Sequence, residues 1–243
     1  MKAVLFDLGH TLISYHNDWR EPEKRAVTEV ARRVDAASPQ GVDWEEVARY
    51  LLELLEQGRK LKLEKHVEIP LTDVLDKCFK RYGVSGDDEL MQQSLEEFYA
   101  VLLEHREEIP GTQEMLQFVK DSGYSIGLVS DVAWGLPSYF PQRDMRHYRL
   151  DQYFDDMVFS TDVGLRKPHP KIFKIALSNL GASASEAIFV GNNLQADILG
   201  ALNVGMTAIL KESNFYTHDD DITPHAKISN WDEFLDLLRK KGP

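Results

Sequence analysis

Asp7, Ser130, Lys167, Asn192 and Asp197 are far apart along the chain, yet together they carry the side chains needed to move a phosphoryl group. Asp7 follows the apolar run Ala-Val-Leu-Phe at 3–6, which is rich in strand-forming residues and too short for a helix. A carboxylate at the tip of a buried strand is costly without a use. Gly9 permits a tight turn that would leave Asp7 facing a crevice. Ser130, with Asp131 after it, ends the run Ser-Ile-Gly-Leu-Val-Ser at 125–130. Lys167 stands in Gly-Leu-Arg-Lys-Pro-His-Pro at 164–170, just before a helix start, and Asn192 and Asp197 lie in Gly-Asn-Asn-Leu-Gln-Ala-Asp at 191–197. A carboxylate nucleophile, a hydroxyl, an ammonium group and an acidic metal-binding loop are the parts that transfer through an aspartyl-phosphate requires. Singly, each has a plainer reading: Asp7 or Ser130 as a turn residue, Lys167 as a solvated charge, Asp197 as a favourable acid in the first turn of a helix. Their order at the ends of successive strands carries the argument.

The elements that would gather these groups can be read from the hydrophobic period. After Leu12 the pattern turns helical for about ninety residues. One stripe is Val27, Val30, Ala31 and Val34; a second is Val47, Leu51, Leu54 and Leu55. A third contains Leu71, Val74, Leu75, Cys78 and Phe79, and a fourth Met91, Leu95, Phe98, Val101 and Leu102. From Pro110-Gly111 onward, strands alternate with helices. A helix is expected over 115–120, strands over 125–130 and 157–160, and a helix over 170–180 with Pro170 at its start and Gly181 past its end. A strand at 187–190, a helix at 194–203, strands at 207–210 and 226–228 and a helix at 231–239 complete the chain. Such alternation implies an α/β fold: a Rossmann-like parallel-sheet core, covered on both faces, with an inserted all-helical cap. The core would comprise residues 1–14 and 108–243 and the cap residues 15–107. Ligands of open parallel sheets bind at the carboxyl ends of the strands, where strand order reverses.

The bulk properties narrow the partners. At 243 residues and 43% hydrophobic content, the chain can fill a sizeable core. Its 28 Lys and Arg against 40 Asp and Glu give a formal charge of -12, which disfavours nucleic acid and anionic membranes. A single cysteine, Cys78, excludes an intrachain disulfide and reads as core filler. The first apolar run is too short for a signal peptide or a membrane span, so a cytoplasmic protein is expected. His-Asp-Asp-Asp at 218–221 reads as a surface loop, and Trp134 as a residue that lines the crevice or packs under the cap.

With all four motifs in order, the sequence resembles the haloacid dehalogenase (HAD) superfamily of hydrolases, phosphatase branch, with a helical C1-type cap. The resemblance extends over nearly the whole chain, including the run Asp-Asp-Met-Val-Phe-Ser-Thr-Asp-Val-Gly at 155–164. It implies a magnesium-dependent phosphatase acting on a small phosphorylated metabolite. Asp7 would attack phosphorus and bind Mg2+; the Gly9 carbonyl would be a second ligand. Ser130 and Lys167 would hold the phosphoryl group, and Asn192 and Asp197 would complete the metal site, one of them through water.

Two departures from the family stand out. Family phosphatases usually carry a second Asp two residues after the nucleophile, as general acid and base, and here that position is Gly9. Acid–base catalysis is worth about 10^2 to 10^4 in rate. His10 is the first candidate to replace it, with Thr11, Asp131, Tyr15 and His16 nearby in sequence or in the expected fold; otherwise the leaving group needs no proton, as in acyl or aryl phosphates. Asn192 stands where the acidic loop usually begins with Asp, which lowers the charge of the site and its expected metal affinity. The alternatives are a metal-independent 2-haloacid dehalogenase and a weakly active or non-catalytic protein that binds a phosphorylated ligand. The sequence identifies neither the substrate nor the oligomeric state.

Overall fold

The structure, a computed structural model, describes residues 2–16, 18–86, 88–213, 215 and 221–241. Its strands are β1 (Ala3–Phe6), β2 (Ile13–Ser14), β3 (Glu107–Glu108), β4 (Ser125–Ser130), β5 (Asp156–Phe159), β6 (Ala187–Gly191), β7 (Thr207–Lys211) and β8 (Ala226–Ile228). Six of them form one parallel sheet in the order β5-β4-β1-β6-β7-β8. The chain moves outward from β1 in one direction through β4 and β5, and in the other through β6 to β8. The order therefore reverses at β1, the position that opens a crevice at the carboxyl edge. Register places Phe6 beside both Leu128 and Val190, so Asp7, Ser130 and Asn192 leave the sheet at nearly the same level.

Every residue of β1 is buried, which explains its unbroken apolar run. Strand alternation sends Val4 and Phe6 to one face, where the Phe6 ring meets Trp231 and Phe234 edge-on, and Ala3 and Leu5 to the other, with Ile172, Phe173 and Ala176. The covering helices are α5 (Thr112–Asp121), α6 (Tyr139–His147), α7 (Ser160–Val163), α8 (Pro170–Asn179), α9 (Gly200–Val204) and α10 (Trp231–Lys241). Between β2 and β3 lie α1 (Arg20–Ala37), α2 (Trp44–Lys65), α3 (Leu71–Arg81) and α4 (Asp88–Leu103), whose buried faces match the four apolar stripes. Cys78 is fully buried on α3, and burial pushes its thiol up to about 12. No helix of the described residues is long and apolar enough to cross a membrane.

The expected boundaries need several corrections. The strand expected at 157–160 occupies Asp156–Phe159, and Ser160 opens α7 instead. The helix expected at 194–203 is divided into a π-helical turn at Leu194–Leu199 and α9. The Asn193 carbonyl accepts from the N–H groups of both Asp197 and Ile198, at 2.9 and 3.1 Å, which widens the turn. Helix α6 left no sequence signal because Pro141 interrupts its pattern; the proline sits in the first turn, where its missing N–H is not needed. The β2–β3 pair is too short to show an alternation.

The helical segment is tied to the sheet at two places. Near the paired strands β2 and β3, Asp144 of α6 accepts from Tyr15 Oη at 2.9 Å, Tyr99 Oη at 2.6 Å and Arg106 Nη1 at 2.6 Å. At the far end, α2 stops at His66, whose left-handed φ of 52° turns the chain back toward the sheet. The segment then runs antiparallel to the loop before Lys167: Val67 bridges Leu165, Glu68 N donates to Gly164 O, and Arg166 N donates to His66 O. The Glu68 side chain, 0% exposed, accepts from Ser160 Oγ at 2.5 Å and Arg166 Nη1 at 2.6 Å, and pairs with Lys62 Nζ at 2.7 Å. Removing this carboxylate takes the nearest anion from Lys62 and from Arg166, both only slightly exposed. Glu68→Ala is expected to lower stability by about 2–3 kcal/mol in urea denaturation. A loss within about 0.5 kcal/mol would show that the junction does not depend on Glu68.

Candidate active site

The carboxyl edge of the sheet opens into a cavity of about 760 Å³, lined by Asp7, Ser130, Lys167 and Asn192 from the sheet and by Trp19, Glu23, Arg59 and Lys62 from the helical segment. Asp7 is fixed by its backbone N–H, which donates to Val190 O at 2.9 Å. Its Oδ2 accepts from Thr11 Oγ1 at 3.0 Å and its Oδ1 from Lys167 Nζ at 2.5 Å. Lys167 Nζ also donates to Val129 O at 2.9 Å and lies 2.7 Å from Asp197 Oδ1. Burial works to discharge this ammonium, but the charges of Asp197, Asp7 and Asp131 outweigh it and hold its pKa well above the ordinary lysine value. Lys167 is therefore a fixed positive charge between two carboxylates.

Asp197 sits in the widened turn after β6. Its Oδ2 accepts from the N–H groups of Asn192 and Asn193 at 3.0 and 2.9 Å, whereas Oδ1 makes an ion pair with Lys167 without hydrogen-bond geometry. Burial, with the Asp7 charge added, raises its pKa to about 6. Gly191 is required beside it: a Cβ there would stand 2.5 Å from the Asp197 carboxyl carbon. Asn192 Nδ2 donates to Ser213 Oγ at 3.1 Å, which turns its amide oxygen the other way. Asp131 accepts from Lys167 N at 3.1 Å and faces Arg166 at 3.7 Å; burial raises its pKa despite both cations.

The donor set suits a hard divalent cation. Three buried or nearly buried carboxylates, Asp7, Asp131 and Asp197, gather around Lys167, and Arg166, 3.7 Å from Asp131, is shared with Glu68, so acidic groups outnumber the basic ones close to them. Asp197 Oδ1 is a buried oxygen with no hydrogen bond. Among the described residues, no three His, Cys, Asp or Glu side chains are gathered as a cage. The candidate ligands instead combine two carboxylates, the Gly9 carbonyl and the Asn192 amide. That all-oxygen set leaves coordination positions for water, as Mg2+ prefers.

The groups proposed to replace the missing acid are held in different ways. His10 has a φ of 57° and stacks on Phe215 with ring centres 4.0 Å apart; burial lowers its pKa to about 4, so it is neutral at pH 7. Thr11 donates to Asp7, and Tyr15 donates to Asp144. His16 faces Glu104 at 3.4 Å. At Gly9, by contrast, a Cβ would meet no atom within 4 Å. Trp134 does both things its sequence position allowed: it lines the cavity, and its Nε1 donates to Glu23 at 2.6 Å while its ring packs edge-on against Trp19. Residues 218–220 of the acidic loop lie outside the described residues.

Sequence reasoning missed Glu23, Arg59, Lys62, Glu68 and Arg166. The one readable signal was Glu68, a lone acid in Val-Glu-Ile-Pro at 67–70; the others lie in charge-rich helices or loops where solvated residues look the same.

Residues 43–211 match a family model described as haloacid dehalogenase-like hydrolase. The chain is 29% identical to a glyceraldehyde 3-phosphate phosphatase of Pyrococcus furiosus over 100% of this chain and 95% of that protein. Among solved structures it resembles an HAD phosphatase of Thermococcus onnurineus, with a TM-score of 0.65 and 26% identity over 98% of each chain. It also resembles a 2-haloacid dehalogenase of Pseudomonas syringae, with a TM-score of 0.68 and 25% identity over 100% of each chain.

The two glycines of the site give a matched test of its packing. Gly191→Ala is expected to cost about 1–3 kcal/mol in urea denaturation, because the methyl group displaces the Asp197 carboxylate. Gly9→Ala is expected to stay within about 0.5 kcal/mol of the wild type. Equal losses at the two positions would contradict the crowding at Asp197.

Proposed function

The chain belongs to the haloacid dehalogenase-like hydrolase family, and we propose that it is a phosphatase hydrolysing a small phosphorylated metabolite through an aspartyl-phosphate on Asp7. The observation that carries this reading is the buried Lys167 ammonium, 2.5 Å from Asp7 and 2.7 Å from Asp197 at the strand ends. A nucleophilic carboxylate cannot approach a phosphate dianion unless positive charge offsets both. Lys167 supplies a permanent share of it, and Ser130 offers a hydroxyl to a phosphoryl oxygen. Asp7 is held by Thr11 and Lys167, so it is aimed before substrate arrives.

In this reading, Asp7 attacks phosphorus as the bond to the substrate oxygen breaks, and the departing oxygen takes a proton from water because Gly9 supplies none. A second water then hydrolyses the acyl phosphate to inorganic phosphate and restores the carboxylate. Asp7, the Gly9 carbonyl, Asn192 and Asp197 would hold Mg2+, which when bound would neutralise charge on the transferring group. With Asn192 contributing an amide oxygen, the site would hold the metal more weakly than one with Asp there. Residues 15–107 would act as the cap, excluding water from the cavity while residues 1–14 and 108–243 carry the chemistry. The Pyrococcus furiosus relative's name makes glyceraldehyde 3-phosphate the first substrate to try.

The missing acid at Gly9 favours the second reading, a metal-independent 2-haloacid dehalogenase, and so does the Pseudomonas syringae structure. The buried Asp197, held five residues after Asn192 and paired with Lys167 beside Asp7, supports the phosphatase instead.

The test is phosphate release with and without Mg2+ from an aryl phosphate, glyceraldehyde 3-phosphate and an alkyl phosphate. Metal-dependent release is expected, with Asp7→Asn lowering kcat by about 10^3-fold or more. Gly9→Asp, at a position where a Cβ meets no atom within 4 Å, is expected to raise kcat on the alkyl phosphate by about 10^2-fold. Halide release from a 2-haloacid, with no phosphate release from any substrate, would overturn the phosphatase reading.

A further inference from the structure

The helical segment lines the cavity with charges that are already matched to one another. Arg59 Nη1 and Nη2 donate to Glu23 at 3.3 and 3.2 Å. Lys62 Nζ is 2.7 Å from Glu68, which also holds Arg166 at 2.6 Å. With Lys167 committed to Asp7 and Asp197, each Lys and Arg lining the cavity among the described residues has a carboxylate partner. Glu23, only 8% exposed, is the node of these pairs: it accepts from Arg59 of α2 and, at 2.6 Å, from Trp134 Nε1, and all three line the cavity.

We propose that this cavity selects monophosphates whose non-phosphoryl part is uncharged and rich in hydroxyl or carbonyl groups, and that Glu23 is the residue that rejects a second anion. The proposal rests on the phosphatase reading and narrows it. A carboxylate or second phosphate on the leaving group would have to draw Arg59 from Glu23 or Lys62 from Glu68. The first move leaves the buried Glu23 with the Trp134 N–H but no cation, and the second leaves Glu68 with one cation in place of two, in either case beside the incoming anion. A hydroxyl or carbonyl group needs no such exchange, since it can use spare donors and acceptors of the Arg59 and Glu23 edges while their pairing stays intact. Selectivity then comes from the repulsive element as much as from any attractive contact.

Glycerol 3-phosphate and 3-phosphoglycerate test this directly, because they share their length and central hydroxyl and differ in a carbinol against a carboxylate. The wild-type protein with Mg2+ is expected to favour glycerol 3-phosphate in kcat/KM by at least about tenfold. Glu23→Gln keeps the side-chain length and an acceptor for Trp134. It should shift the ratio about tenfold or more toward 3-phosphoglycerate, chiefly through KM, as the freed Arg59 pairs with the substrate carboxylate. Glu56→Gln, which alters the exposed partner of Arg59 at 3.0 Å, should leave the ratio unchanged. Equal or better use of 3-phosphoglycerate by the wild type would overturn the proposal, as would a ratio untouched by Glu23→Gln. Failure to release phosphate from either compound and from an aryl phosphate would instead remove the phosphatase reading beneath it.

Discussion

The structure depends on one buried ammonium group. Lys167 lies between Asp7 and Asp197, each nearly or wholly removed from water, and none of the three could be buried in charged form without the others. Desolvation of such a cluster commonly consumes most of its Coulombic gain, so the arrangement is poor evidence for stability and good evidence for use. It also sets strict demands on the scaffold. Asp7 must leave β1 level with the end of β6, Gly191 must lack a side chain, and the turn after β6 must widen to bring Asp197 back over the strand end.

The same cluster connects the chemistry to the helical segment. Glu68 holds Arg166, Arg166 faces Asp131, and Asp131 accepts from the backbone N–H of Lys167. The bridge between Val67 and Leu165 fixes the loop from the other side. The docking of the helices and the placement of the ammonium therefore share one set of contacts. Access to the cavity and readiness of its floor are expected to change together.

Much of this was legible in the sequence because the groups that carry charge at strand ends interrupt an otherwise apolar text. Asp7, Ser130, Lys167, Asn192 and Asp197 were visible for that reason, and the structure brings all of them to one edge. The unbroken apolar run at 3–6 and the alternation after Pro110 pointed to a buried parallel sheet, and the strand order then places β1 at its middle. What escaped were features without a period. Helix α6 was hidden by Pro141, β2 and β3 by their length, and the π turn by a single carbonyl shared between two N–H groups. The wall residues Glu23, Arg59 and Lys62 escaped for another reason. Their spacing is that of any solvated helix face, and only tertiary packing reveals that they form ion pairs and line a cavity.

The central claim is that Asp7 is transiently phosphorylated, and it is tested most directly by trapping the enzyme during a single turnover. An acid quench with excess enzyme over aryl phosphate, followed by peptide mapping with mass spectrometry, is predicted to show phosphate on the peptide containing Asp7. The signal should be sensitive to hydroxylamine, as an acyl phosphate is, and should decay at the rate of phosphate release. Full phosphate release with no phosphorylated peptide at any time, or with phosphate on a residue other than Asp7, would contradict it.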